Sequence, residues 1–100
     1  MDFKVVWTEP AIEDLRQICF YISADNPFAA QQVGDDIFRH VEILGSFPFI
    51  GPSYPRGSPG EIREIICRNY RIFYRVKEET KVVEILTIWH GAREERHLKF

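Results

Sequence analysis

Arg71 and Arg75 sit in the run YRIFYRV (70–76), where Ile72, Tyr74 and Val76 alternate with Arg71, Phe73 and Arg75. A pleated strand sends successive side chains to opposite faces, so this alternation puts both guanidinium groups on one face and the apolar set on the other. Guanidinium groups grip phosphate oxygens in bidentate fashion, and a cluster of them is the chemistry that stabilises a phosphate in a transition state. Arg63 upstream, and His90, Arg93 and Arg96 downstream, are placed to converge on the same hollow. His90 alone has an ordinary pKa suited to proton transfer near neutral pH. Arg71, His90 and Arg93 are therefore the catalytic candidates, and Arg63, Arg75 and Arg96 the candidates for contacting a partner or nucleic acid. The structural alternatives are a strand-end histidine bonded to backbone and a solvated arginine face paired with Glu61, Glu64 and Glu84.

The elements that must hold these residues follow from the flanking sequence. Val82 to Trp89 is rich in β-branched residues and apolar except at Glu84 and Thr87, the pattern of a central strand covered on both sides. Lys77 to Thr80 has the length and polarity of a hairpin loop. A further strand spans Ile62 to Cys67, and Arg68-Asn69 makes a two-residue turn in which Asn69 tolerates the left-handed conformation. Three strands joined this tightly form an antiparallel meander.

The first half reads differently. Phe3, Val5 and Trp7 alternate as a short strand, after which Thr8 caps a helix that accepts Pro10 in its first turn. Ile12, Leu15, Cys19 and Ile22, with Ile18 beside them, form its inward stripe. Asn26-Pro27 starts a second helix whose stripe is Ala30, Val33, Ile37, Val41 and Leu44, ending at Gly45. Gly34 interrupts it and implies close packing against a neighbour. Between Gly45 and Gly60, eight of sixteen residues are Gly or Pro, which gives a long loop. Phe47, Phe49 and Ile50 are expected to pin its first half to the core, leaving Tyr54 and Arg56 to meet a partner. The fold class is α+β: an N-terminal strand beside Val82 to Trp89, an antiparallel helical hairpin on one sheet face, and the arginines on an open opposite face. On this arrangement Tyr74→Ala costs roughly 3 kcal/mol or more, whereas Arg71→Ala leaves stability nearly unchanged.

One hundred residues make a single domain, read as 1–100, and the composition excludes several classes. The net charge of -2 divides into three basic and eight acidic side chains over residues 1–46 and ten basic and seven acidic over 47–100. The second half is the better anion-contacting surface, but a protein that binds nucleic acid unaided is usually more basic. There is no apolar run of membrane-span length and no signal-peptide pattern, so a cytoplasmic protein without membrane contact is expected. Cys19 and Cys67 are too few for a disulfide scaffold and read as buried thiols. His40, His90 and His97 lack metal-ligand spacing, and no Gly-rich phosphate loop or nucleophile elbow is present, so neither metal nor cofactor is expected.

The element order, the Gly/Pro-rich lead into GEIREII, the strand NYRIFYRV and the terminal ILTIWHGAR together resemble the RelE/ParE superfamily of toxins from bacterial type II toxin-antitoxin systems. The resemblance runs from WTEPAIEDL onward. It implies a small toxin, of the kind linked to plasmid stabilisation, that arrests growth and is neutralised by a cognate antitoxin. Some members cleave mRNA in the ribosomal A site, and ParE-like members poison DNA gyrase. In the RNA-cleaving members an arginine on the third strand and another just after the fourth contribute to catalysis, and Arg71 and Arg93 look like those positions. Those members also use lysines on the second strand and a tyrosine near the C-terminus, where this chain has Arg63 between Glu61 and Glu64 and the tail AREERHLKF. Acidic residues beside the site would repel a scissile phosphate, so the resemblance favours a non-enzymatic gyrase inhibitor, with a ribosome-dependent endoribonuclease as the alternative.

Overall fold

The computed structural model describes residues 2–54 and 62–91. Arg56, Glu61, Arg93, Arg96 and His97 lie outside the described residues. The elements are β1 (Lys4–Trp7), α1 (Glu9–Ser23), α2 (Pro27–Ser46), β2 (Ile62–Cys67), β3 (Tyr70–Lys77) and β4 (Val82–His90). One sheet has the order β1-β4-β3-β2, with β1 parallel to β4 and the two other pairings antiparallel. The meander and the place of β1 agree with the sequence reading.

The helices cover one face. Val33, Ile37, Val41 and Leu44 of α2 pack against Ile72, Tyr74, Val83, Ile85 and Ile88 of the sheet, all buried. Asn26 caps α2 by accepting from the Ala29 N–H at 3.1 Å, as its position suggests. A Cβ on Gly34 would lie 3.3 Å from Cys19 Sγ, which is the close packing that the glycine permits. The stripe of α1 is rotated from expectation. Ala11 is fully buried and Leu15, Ile18 and Ile22 pack against the core, but Ile12 is 43% exposed.

Thr8 is the N-cap residue of α1, its C=O accepting from the Ile12 N–H at 3.0 Å, but its side chain makes no cap bond. Its hydroxyl donates to the carbonyls of Ile85 (2.6 Å) and Leu86 (3.2 Å) on β4 instead. The reason lies in a β-bulge: Phe73 pairs with Thr87 and Tyr74 with Ile85, so Leu86 has no residue opposite it. β1 ends at the same level, with Trp7 opposite Ile85. Past that point the edge of β4 is served by side chains at the start of the helical segment, Thr8 just before α1 and then Asp14 within it, whose Oδ2 accepts from Thr87 Oγ1 (2.5 Å) and the Ile88 N–H (3.0 Å).

The loop after α2 inverts the expected roles. Phe47, Phe49 and Ile50 are 61%, 47% and 61% exposed, whereas Tyr54 is 1% exposed. Pro52 to Tyr54 runs along the outer edge of β2, with Tyr54 N–H donating to Ile62 C=O (2.7 Å) and Glu64 N–H to Pro52 C=O (3.1 Å). Gly51 sits so close to this strand that a Cβ would fall 2.4 Å from Glu64 O. Its N–H donates to the Tyr74 hydroxyl at 2.9 Å. In the β2–β3 turn it is Arg68, not Asn69, that takes the left-handed conformation, with φ 56°. Asp36 of α2 holds Arg68 there, accepting from its Nε at 2.7 Å.

Two predictions follow from these bonds. Tyr74→Phe strands the buried Gly51 N–H and should lower stability by about 1–3 kcal/mol, seen as a lower urea midpoint at an unchanged slope. The hydrogen bond from Arg68 holds the Asp36 carboxyl below its ordinary value. A depressed folded-state pKa stabilises above the unfolded value and is lost as pH falls through the folded one. Thermal midpoints of the wild type should therefore drop faster than those of Asp36→Asn below about pH 4.

Candidate functional site

The arginine face is not bare. Tyr54, Ile62, Phe73 and Trp89 are buried there as a second apolar cluster, with Leu86 packed against it. Tyr54 and Trp89 meet the Phe73 ring edge-on, at centroid separations of 4.9 and 6.2 Å. Phe73 shares the arginine parity in YRIFYRV, so a large apolar group necessarily points to that side and needs cover.

Arg71 crosses this cluster. Its Cζ lies 5.2 Å from the centre of the Phe73 ring and 5.9 Å from that of Tyr54. Its Nε and NH2 donate to Glu64 Oε2 and Oε1 at 2.9 and 3.2 Å, a fork-to-fork pair with side chains 19% and 17% exposed. Arg75 lies four residues along, about 13 Å away on an extended strand. Its NH1 is 3.7 Å from Glu84, which Lys77 approaches to 3.3 Å. Pairing with Glu64 and Glu84, the structural alternative for these arginines, is what the sheet contains.

Arg63 does not join them. It pairs in register with Tyr74, whose side chain faces the helices, so Arg63 is on the opposite side of the sheet from Arg71. There its NH1 donates to Gly51 C=O at 2.7 Å and its guanidinium lies 5.1 Å from the Phe49 ring centre. The expected convergence fails because 63 and 71 have opposite parity across an antiparallel register in which 66 faces 71.

His90 stands at the end of β4 opposite Tyr70, the two rings perpendicular and 5.5 Å apart. It borders two hollows. One is an open concavity of about 560 Å3 that it shares with Arg68, Arg71 and Glu64. The other is a cleft of about 310 Å3 on the helix side of the sheet, bordered by Asp14 and Tyr21 of α1 and by Tyr70. Among the described residues, then, Arg71 and His90 are brought to one hollow, while Arg63 is not. Sequence reasoning missed Tyr54 and Asp14. The burial of Tyr54 could have been found from the parity of Phe73, and Asp14 had no such signal.

The first hollow is basic in composition but charge-compensated in geometry, since Arg71 is engaged by Glu64 and Arg68 by Asp36. An incoming phosphate would have to displace a carboxylate from Arg71 while remaining beside it, and like charges that close repel.

The family model described as "ParE toxin of type II toxin-antitoxin system, parDE" matches residues 5–95. The chain belongs to the ParE toxin family. As a ParE-family chain it is a toxin of a type II toxin-antitoxin system, within the RelE/ParE superfamily. It is 33% identical over 96 residues to "Putative toxin Y4kP" of Sinorhizobium fredii, covering 91% of each chain. A chain of the chromosomal ParDE system from P. aeruginosa is 27% identical, with a TM-score of 0.72, covering 88% of this chain and 95% of that one. The RelBE2 toxin-antitoxin complex of Mycobacterium tuberculosis, at 23% identity and a TM-score of 0.63 over 90% of this chain and 99% of that one, shares the fold.

The expectation that Arg71→Ala leaves this ParE-family toxin nearly unchanged in stability does not survive the ion pair and the two rings. Arg71→Ala and Glu64→Ala should each cost about 1 kcal/mol in chemical denaturation. The double variant should lose about 0.5–1 kcal/mol less than the two single losses together.

Proposed function

We propose that this chain is a ParE-type toxin that acts on DNA gyrase without cleaving a substrate itself, and that a cognate antitoxin neutralises it. The observation that carries the choice of target is the state of Arg71. Arg71 occupies the strand position that the resemblance assigns to a catalytic arginine, yet Glu64 accepts both of its forked donors and two aromatic rings lie beneath it. A guanidinium held this way is a structural brace for the apolar cluster. It supports a toxin that works by binding rather than by phosphate chemistry. The family match and the 27%-identical ParDE chain support the same branch. An antitoxin partner is supported by the solved neighbours, among them the RelBE2 complex and the intact RelBE complex of E. coli.

Induced expression in a bacterium without the antitoxin is expected to arrest growth, induce the DNA-damage response and accumulate covalent gyrase–DNA complexes. Messenger RNA should show no new codon-phased ends by primer extension. Codon-phased cleavage with intact, normally supercoiled DNA would overturn the reading in favour of a ribosome-dependent nuclease.

A further inference from the structure

The cleft on the helix side of the sheet has a chemistry that the toxin reading does not use. Its base is apolar, formed by Ile88, which is buried, and Ile18. Its walls are aromatic, because Tyr70 and His90 meet at a right angle and Tyr21 stands 81% exposed at the mouth. Burial pushes the Tyr70 phenol up, so the hydroxyl stays neutral. Asp14 supplies the charge. Two donors from β4 converge on its Oδ2 and hold that oxygen at the strand, and among the described residues no cation is ion-paired with it. A half-buried, oriented carboxylate beside π faces is the arrangement that selects a cation carried on an apolar stem.

We propose that this cleft receives the guanidinium or ammonium end of a basic side chain from a protein partner. The surroundings specify a protein rather than a free amine. Phe20 and Phe28, 79% and 70% exposed, do not line the cleft but stand at the same end of the helical hairpin as Tyr21, an exposed apolar surface that a free amine would leave uncovered. The first 46 residues, which contain both helices, carry eight acidic against three basic side chains and favour approach of a basic segment. The inference is independent of whether gyrase or the ribosome is the target.

The test is an NMR titration of the full-length 15N-labelled chain at low salt and about pH 8, where an ordinary imidazole is neutral. Nα-acetylarginine amide should shift the amides of Gln17, Ile18, Tyr70 and Ile88 saturably, with a Kd on the order of millimolar. The uncharged, isosteric Nα-acetylcitrulline amide should not. Asp14→Asn keeps an acceptor for Thr87 and Ile88 and should weaken binding about tenfold. Tyr21→Ala, at an exposed site where folding is untouched, should weaken it severalfold. A helical Leu/Ala peptide carrying one arginine should bind at least about tenfold tighter than the amide, because it also covers Phe20 and Phe28. Equal shifts with citrulline, shifts confined to other acidic residues, no saturation, or no gain from the peptide would overturn the proposal.

Discussion

Phe73 and Tyr74 are consecutive residues of β3 and both are wholly removed from solvent. Adjacent strand positions point to opposite faces, so this single dipeptide requires the sheet to be covered twice. Each such aromatic gains roughly 1.5–3 kcal/mol from burial, a large fraction of the stability a small domain has to spare. The helical hairpin supplies one cover, but the opposite cover has to come from the returning loop. Tyr54 can reach Phe73 only if Pro52 to Tyr54 lies along β2, and that path brings Gly51 against the Glu64 carbonyl, where no side chain fits. The Tyr74 hydroxyl and Arg63 both bind Gly51 from the helix side. One glycine thus ties the covers of the two faces together.

The same two-sided demand explains β4. Its near-continuous apolar sequence reads as a strand covered on both sides, and so it is, but a strict alternation would not distribute its residues correctly. The extra residue at Leu86 resets the parity, letting Val83, Ile85 and Ile88 all face the helices while Leu86 and Trp89 face the second cluster. A bulge also breaks the edge that β1 had been covering. Thr8 and Asp14 answer for the exposed carbonyls and amide, and that is why a residue with every mark of an N-cap spends its hydroxyl elsewhere.

What was legible in the sequence is what depends on local period and capping. The element order, the α2 stripe from Ala30 to Leu44, the Asn26 cap, the meander and the place of β1 all follow from spacing and turn chemistry. What was not legible depends on contacts far apart in the chain. The Thr8 hydroxyl bonds residues more than seventy positions away, and a one-residue rotation of α1 exchanges Ile12 for Ala11. In the loop, hydrophobicity is a poor guide to burial. Phe47 and Ile50 are the more apolar residues, but Tyr54 is the one beside a strand edge with carbonyls and amides to satisfy. The face of Arg63 depends on the cross-strand register, which sets it opposite Tyr74 and not on the Arg71 side. His90 does line the arginine hollow, and what spacing alone does not show is that it also borders the helix-side cleft.

Charge on the arginine face is settled by the apolar cluster beneath it. A guanidinium lying over Tyr54 and Phe73 is shielded from water on one side, and without a carboxylate it would carry an uncompensated charge at an apolar surface. Glu64 removes that cost, and a carboxylate in that place also repels the phosphate that a free Arg71 would attract. Structural stability and anion binding are therefore competing uses of the same side chain, and in this structure both forked donors of Arg71 are engaged by Glu64, with both partners mostly buried. On the other side of the sheet the balance is reversed. Asp14 accepts from one hydroxyl and one backbone donor that carry no formal charge, and among the described residues no cation pairs with it. Among the described residues the two sides thus differ in kind: a guanidinium matched by a carboxylate on one, and a carboxylate bonded only to neutral donors on the other.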